Sequence, residues 1–458
     1  MDTVLRGGKV YCEGNLWEVD LVVRDGTVAS WSRRGDARGD REVDVEGKWV
    51  LPGFVDAHFH CRQPAHPDRE DFTTGSRAAA SGGITTYFEM PTSDPSVYNG
   101  RILQTRREMA EAVSVVDFAL YAAPGTLDEE DLGSAVEAGA IAFKIFMTAG
   151  SPTPSEASRG VFITDEAELY RALQMVARTG LVVSVHAEDQ VMLDIIAEEI
   201  GLDRQTDIRP VDHLEHRPPM VEDYASARLL ALARHTGARV HLAHMSSGFS
   251  ADLMAAARAA GADVSGETCH HYVAFEGDVL AEHGPFAKVN PPIRGGEERA
   301  SLRRSIRSGA LDILVSDHSP HAVADKNLGL EDIRRSPSGE PGVEMLGRYF
   351  LDQVLRGEFP MARVLDGLTI NPATRFGVAS RKGHLKPGAD ADMVIFDPEG
   401  EFTVDQDRLF TKSRASAGMW HGMQFRGNVD STWVRGTEVV ADGEIVGRAG
   451  YGRMVRPD

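Results

Sequence analysis

The sequence predicts a closed (β/α)8 barrel, of the TIM type, with a small β-sandwich domain built from both chain ends. Three observations predict it. Eight apolar, β-branched runs recur through the middle of the chain. Stretches with helical spacing separate them. Both ends carry short alternating segments punctuated by Asp-Gly turns.

The elements follow in order. Residues 1–52 hold TVLRGGKVYCEG, EVDLVVRDGTVASW and REVDVEGKWVLPG, with Asp-Gly at 25–26 marking a hairpin. The eight runs are WVLPGFVDAHFH (49–60), GITTYFEMP (83–91), VDFALYAAPG (116–125), AIAFKIFM (140–147), LVVSVHAED (181–189), ARVHLAHMSS (238–247), ADVSGETCHH (262–271) and DILVSDHSPH (312–321). Near-continuous apolar strands suit a parallel sheet covered on both faces. Helices are expected over 165–180, over 220–237 with its Thr-Gly stop, and over 343–357. No glycine-rich nucleotide turn follows an early strand, which argues against an open doubly wound sheet. The loop TAGSPTPSEASRG (148–160) is expected to cover the barrel mouth. The stretch 384–458 alternates again, with Asp-Gly at 442–443. The expected domains are therefore 1–52 and 376–458, two parts of one β domain, with the barrel 53–375 between them.

A chain of 458 residues can bury a large core. Its formal charge of −20 speaks against nucleic acid or an anionic membrane as partner. No apolar run approaches the ~20 residues that span a bilayer. The start lacks a charged-then-apolar secretory pattern, and Cys12, Cys61 and Cys269 are odd in number and far apart. A reduced, cytoplasmic setting is expected.

Polar residues gather at the carboxyl ends of the predicted strands, where barrel active sites are built. His58 and His60 end the first, His186 the fifth, His244 the sixth and Asp317 the eighth, while Lys144 lies in the fourth. His-x-His on a strand points both imidazoles to one face. Neutral imidazole and carboxylate suit zinc and its neighbours. Any one such His alone is most often a satisfied polar residue; together they point to a metal. Lys144 stands inside an apolar strand, where burial lowers an amine's pKa. Two readings stay open from spacing: a carbamate formed with carbon dioxide, or a pair with a core carboxylate.

These residues carry a resemblance. HFH, FKIF, VHAED, LAHMSS and SDHSPH resemble the metal motifs of the amidohydrolase superfamily. GGITTYFEMP, ETCHHY and KVNPPIR narrow it to the cyclic amidases: dihydroorotase, allantoinase, hydantoinase and dihydropyrimidinase. The resemblance covers nearly the whole chain, including the tail LKPGADADMVIFD.

The resemblance implies two divalent ions, most often zinc. His58, His60 and Asp317 hold the more buried ion, His186 and His244 the more exposed one, and an N6-carboxylated Lys144 bridges them. It implies hydrolysis of a ring amide, with Asp317 carrying the proton from the attacking oxygen to the leaving nitrogen. The same site runs in reverse where ring closure is favourable. A small-molecule substrate and a homo-oligomer, dimer or tetramer, are implied as well. Members turned into non-catalytic scaffolds usually lose ligands, and none is missing here.

For the substrate, HFHCRQP matches the dihydroorotase pattern His-x-His-x-Arg, in which Arg62 clamps a carboxylate. His321 matches a second member of that clamp. The third is usually an asparagine after Met-Pro; here Thr92 stands in its place. Ala149 replaces the tyrosine of dihydropyrimidinases and D-hydantoinases, whereas VDFALYAAPG, EMP and AFKIFM look more like allantoinases and L-hydantoinases. A carboxylate-bearing ring is the leading expectation, with a neutral ureide or hydantoin as the alternative. Asn290 is expected to read the ring's amide edge, with backbone contacts from 336–344. The plain alternative for Arg62 is a pair with Glu89. His270 and His271 are read as strand neighbours, of which at most one can line the pocket. His318 is read as orienting a turn or a ligand, and Cys61 and Cys269 as buried fillers.

Overall fold

The structure, a computed structural model, describes residues 2–150, 156, 158–205 and 208–458. Eight parallel strands run in chain order: β1 (Phe54–Phe59), β2 (Ile84–Glu89), β3 (Asp117–Ala122), β4 (Ala142–Phe146), β5 (Val182–His186), β6 (Arg239–Leu242), β7 (Val264–Cys269) and β8 (Ile313–Val315). Every one falls in a predicted run. The seam between β8 and β1 is bridged past the strands' ends, where the His60 N–H donates to the His318 carbonyl at 2.8 Å. The barrel is thus nearly closed, and its strands are buried on both faces.

The helices lie between the strands as their spacing requires. Glu166–Thr179 starts on an Asp165 cap that accepts from the Glu168 N–H and ends at Gly180 with φ 74°. Pro219–Thr236 ends at Gly237 with φ 72°, and Val343–Leu355 follows the eighth strand. Among the described residues no helix is long and apolar enough to cross a membrane.

The first predicted run is two strands. Trp49–Pro52 pairs with Met393–Phe396 in the sheet of the chain ends, and Gly53 separates it from β1. A Cβ on Gly53 would stand 2.1 Å from Thr85 Oγ1, so only glycine passes there. The ends join in one ten-stranded sheet, nine strands on a single hydrogen-bonded path and the tenth, Thr27–Arg33, paired beside it on Asn15–Arg24, around their own core of Leu21, Val50, Met393 and Trp433. Both Asp-Gly pairs turn hairpins, with positive φ at Asp25, Gly26, Asp442 and Gly443. The expected cover over 148–160 lies partly outside the described residues, at 151–155 and 157.

Candidate active site at the carboxyl ends of the barrel strands

A cavity of about 900 Å³ opens at the carboxyl ends of the strands. His58, His60, His186, His244, Asp317, Arg62, Thr92, Asn290 and His321 all line it. Lys144 is wholly buried beneath, on β4.

His58 and His60 converge as the two-residue period requires. Their Nε2 atoms lie 3.3 and 3.5 Å from Asp317 Oδ1. Each opposite ring nitrogen is held from behind. His58 Nδ1 lies 2.5 Å from Glu267 Oε1, and His60 Nδ1 lies 2.8 Å from Thr92 Oγ1. This fixes which nitrogen faces the centre. Thr92 is therefore engaged with His60, a task its motif position did not suggest.

The second pair also converges. His186 Nδ1 and His244 Nε2 are 3.0 Å apart, and His186 Nε2 meets Glu188 Oε2 at 2.8 Å. Arg217 donates to the same Glu188 oxygen at 2.5 Å. His58, His244 and Asp317 offer ligand atoms within 4.8 Å of one another.

His244 and Asp317 do not end their strands. Each lies two residues beyond, with φ 32° and 46°. Non-glycine residues seldom adopt this region, and such conformations gather at functional sites. Three more residues depart from the alternation. Arg62 follows the end of β1 with φ 65°, so a turn and not the strand period carries it to the cavity. His270 and His271 open a short helix, His270–Ala274, and neither lines the cavity. His318 stacks on Phe59 with its ring centroid 4.7 Å away and reaches Glu70 at 3.3 Å, a packing role behind the wall. Cys61 and Cys269 are buried.

The electrostatics suit cation binding. Burial pushes His60 down to about 3 and lowers His186 and His244 as well, so these imidazoles are neutral and present lone pairs. Burial pushes the Asp317 carboxyl up, but His58, His60 and His244 outweigh it and hold it well below the usual range. Burial brings the Lys144 amine down to about 8. Its Nζ has no hydrogen-bond partner among the described residues and lies 4.8 Å from the centroid of the Phe146 ring. Among the described residues no carboxylate hydrogen-bonds it, and Glu267 and Asp317, nearby, only partly offset the burial. Neutral imidazoles, an ionised carboxylate and an orphaned buried amine fit a divalent-metal centre with a carbamate at Lys144.

Arg62 turns away from Glu89, whose Oε2 accepts the Cys61 N–H at 2.7 Å. Its Nε donates to the Pro320 carbonyl at 3.3 Å. Its Nη2 donates to Ser319 Oγ and lies 3.1 Å from His321 Nε2. His321 Nε2 also meets the Ser338 carbonyl at 3.1 Å. Asn290 Oδ1 is buried without a hydrogen-bond partner among the described residues.

Sequence reasoning missed Glu267 and Glu188. Glu267 had the signal used for Lys144, a charge inside an apolar run. Glu188 stands two residues after His186, beyond the strand, where alternation no longer assigns a face. Of the 334–339 wall of the cavity, 336–339 was anticipated only as backbone, within 336–344, and Arg334 and Arg335 were not anticipated.

The sequence pattern of the amidohydrolase family matches residues 49–439. The chain is 36% identical to an allantoinase of Rubrobacter xylanophilus, over 100% of this chain and 98% of that protein. It is 31% identical to an L-hydantoinase of Paenarthrobacter aurescens, over 99% and 98%. Among solved structures, an L-hydantoinase (dihydropyrimidinase) from Arthrobacter aurescens superposes with a TM-score of 0.93 at 31% identity, covering 99% of both chains. A dihydropyrimidinase from Brevibacillus agri superposes with 0.90 at 27% identity, covering 100% and 99%. The chain belongs to the amidohydrolase family, in its group of cyclic-amide hydrolases.

Proposed function

We propose that the protein hydrolyses the ring amide of a neutral cyclic ureide, of the allantoin or hydantoin kind. One observation carries the choice over a carboxylate-bearing ring. The Nε and Nη2 edge of Arg62, which would clamp a carboxylate, is engaged with Pro320 and Ser319. Thr92 is engaged with His60, and His321 with Arg62 and Ser338. Of the positions expected to form an acid clamp, Arg62 and His321 thus hold each other, and Thr92 is taken up by His60. The names of the relatives support the same side. Asn290 Oδ1, unpartnered, is then an acceptor for a ring N–H.

We further propose that His58, His60, Asp317, His186, His244 and carboxylated Lys144 hold two divalent ions, zinc by their chemistry. When bound, such ions lower the pKa of water and polarise a carbonyl. Asp317, ionised and turned inward, takes the proton of the attacking water and delivers it to the leaving ring nitrogen. Glu267, Thr92 and Glu188 hold three of the four imidazoles in register. A cytoplasmic homo-oligomer, dimer or tetramer, and domain limits at 52/53 and 375/376 belong to the same reading.

The test is a panel at equal concentration: allantoin, both hands of a 5-substituted hydantoin, dihydrouracil and dihydroorotate. The highest kcat/KM is expected on allantoin or a hydantoin. A clear preference for dihydroorotate would restore the carboxylate reading.

A further inference from the structure

Behind the cavity lies a second set of metal-type donors. His270 and His271 directly follow β7, and Glu340 lies between β8 and the helix Val343–Leu355. All three are buried, and none lines the cavity. Glu340 Oε1 lies 3.2 Å from His271 Nδ1 and 3.7 Å from His270 Nε2. A charge-assisted hydrogen bond would draw such atoms to ~2.7–2.9 Å and an ordinary one reaches ~3.2 Å, so the His270 separation exceeds both and the His271 separation stands at the upper limit. Donors around a tetrahedral ion with bonds of ~2.0–2.1 Å instead stand ~3.3 Å apart. The spacing suits the ion.

The unmet polar atoms point the same way. Among the described residues both ring nitrogens of His270 and His271 and Oε1 of Glu340 have no hydrogen-bond partner; His270 Nε2, His271 Nδ1 and Glu340 Oε1 are the three that face one another. Buried polar groups in native proteins are rarely left so. The outer side of the set is supported. Trp420 Nε1 donates to Glu340 Oε2 at 3.0 Å, and its ring stacks on His270 with centroids 4.8 Å apart. Ligating carboxylates and imidazoles carry such outer partners. Gly342 keeps the space open: a Cβ there would stand 2.2 Å from Glu340 Oε1 and 2.7 Å from His270 Nε2.

We propose that His270, His271 and Glu340 form a structural site for one divalent first-row ion, zinc by the chemistry of two imidazoles and a carboxylate. The ion ties the end of β7 to the segment after β8 and, through Trp420, to the C-terminal part of the chain. It is separate from the centre at His58, His60 and Asp317 and independent of the substrate assignment.

Two variants test it, His270→Gln and Glu340→Gln, each made in the otherwise intact chain and in a His58→Ala/His60→Ala background. Zinc-supplemented protein is purified without chelator and its metal counted by mass spectrometry. Each variant should hold one ion fewer than its parent in both backgrounds. Cobalt-loaded protein should lose one visible absorption component in step. Should one variant fail to fold, as judged by circular dichroism, the other decides. An unchanged metal count in a folded variant, in either background, would overturn the proposal.

Discussion

At the scale of single residues, the site depends on groups that never reach the cavity. Glu267 faces two imidazoles, His58 Nδ1 at 2.5 Å and His241 Nε2 at 2.9 Å. Burial pushes its carboxyl up, yet His58 and His241 outweigh it and keep it ionised. Glu267→Gln retains the volume but removes the anion that fixes the His58 tautomer. Metal affinity or kcat should fall by about 10- to 100-fold, the usual effect of losing such a partner. Thr92→Val should act likewise through His60, with KM for the ring nearly unchanged. A rise in KM at constant kcat would instead return Thr92 to the substrate. The imidazoles and Asp317 were legible because they crowd the ends of apolar runs. Glu267 was less so: one acid in a buried strand pairs with residues from β1 and β6, and a linear sequence does not display those neighbours.

At the scale of elements, the strands were legible and the turns after them were not. An apolar run announces a buried strand through repetition. A single left-handed residue, such as Arg62, His244 or Asp317, leaves no repeating mark. The wall at 334–339 shows the same limit. Two lysines staple it from beneath: Lys288 Nζ donates to the Ile333 and Ser336 carbonyls at 2.8 and 2.6 Å, and Lys326 Nζ to the Lys288 and Pro337 carbonyls at 3.2 and 3.1 Å. Among the described residues neither amine forms an ion pair, and burial lowers both to about 7. The unfolded chain therefore binds more protons than the folded one between pH ~7 and ~10.5. Stability rises with pH across that window, by at most ~1.4 kcal/mol per pH unit for each lysine. Below pH ~7 the burial cost is present in full. Lys288→Met should flatten the rise of Tm between pH 7 and 10. It should also raise KM, because Ser336 loses a donor beneath the cavity wall. A Tm profile parallel to the parent's would show that the amine stays charged.

At the scale of the whole molecule, the net charge of −20 describes the surface and not the cavity, whose wall carries Arg62, Arg69, Arg217, Arg334 and Arg335. Composition averages over such local excess. The joining of the two chain ends to the barrel was legible in outline, from Asp-Gly turns and alternation. The lock between them was not, because its charges lie far apart in sequence. Lys382 Nζ meets Asp117 on β3 at 2.6 Å, Asp392 at 2.7 Å and Asp390 at 2.9 Å. Arg435 pairs with Asp117 from the other side. Burial pushes Asp117 up, and Lys382 and Arg435 overcome it to hold the carboxyl below its usual range. The three carboxylates thus share buried cations, which places them outside the metal chemistry proposed above. Lys382→Met keeps the length of the side chain and leaves the carboxylates with Arg435 and Arg381 alone. Breaking a buried pair from one side costs ~3–5 kcal/mol. The denaturant midpoint should drop accordingly, while kcat/KM of the folded fraction should hold, since Lys382 does not line the cavity. Asp392→Asn in the same chain should recover part of the loss by removing one stranded charge. An unchanged midpoint in Lys382→Met would mean that the barrel and the β domain are held together by their apolar contacts alone.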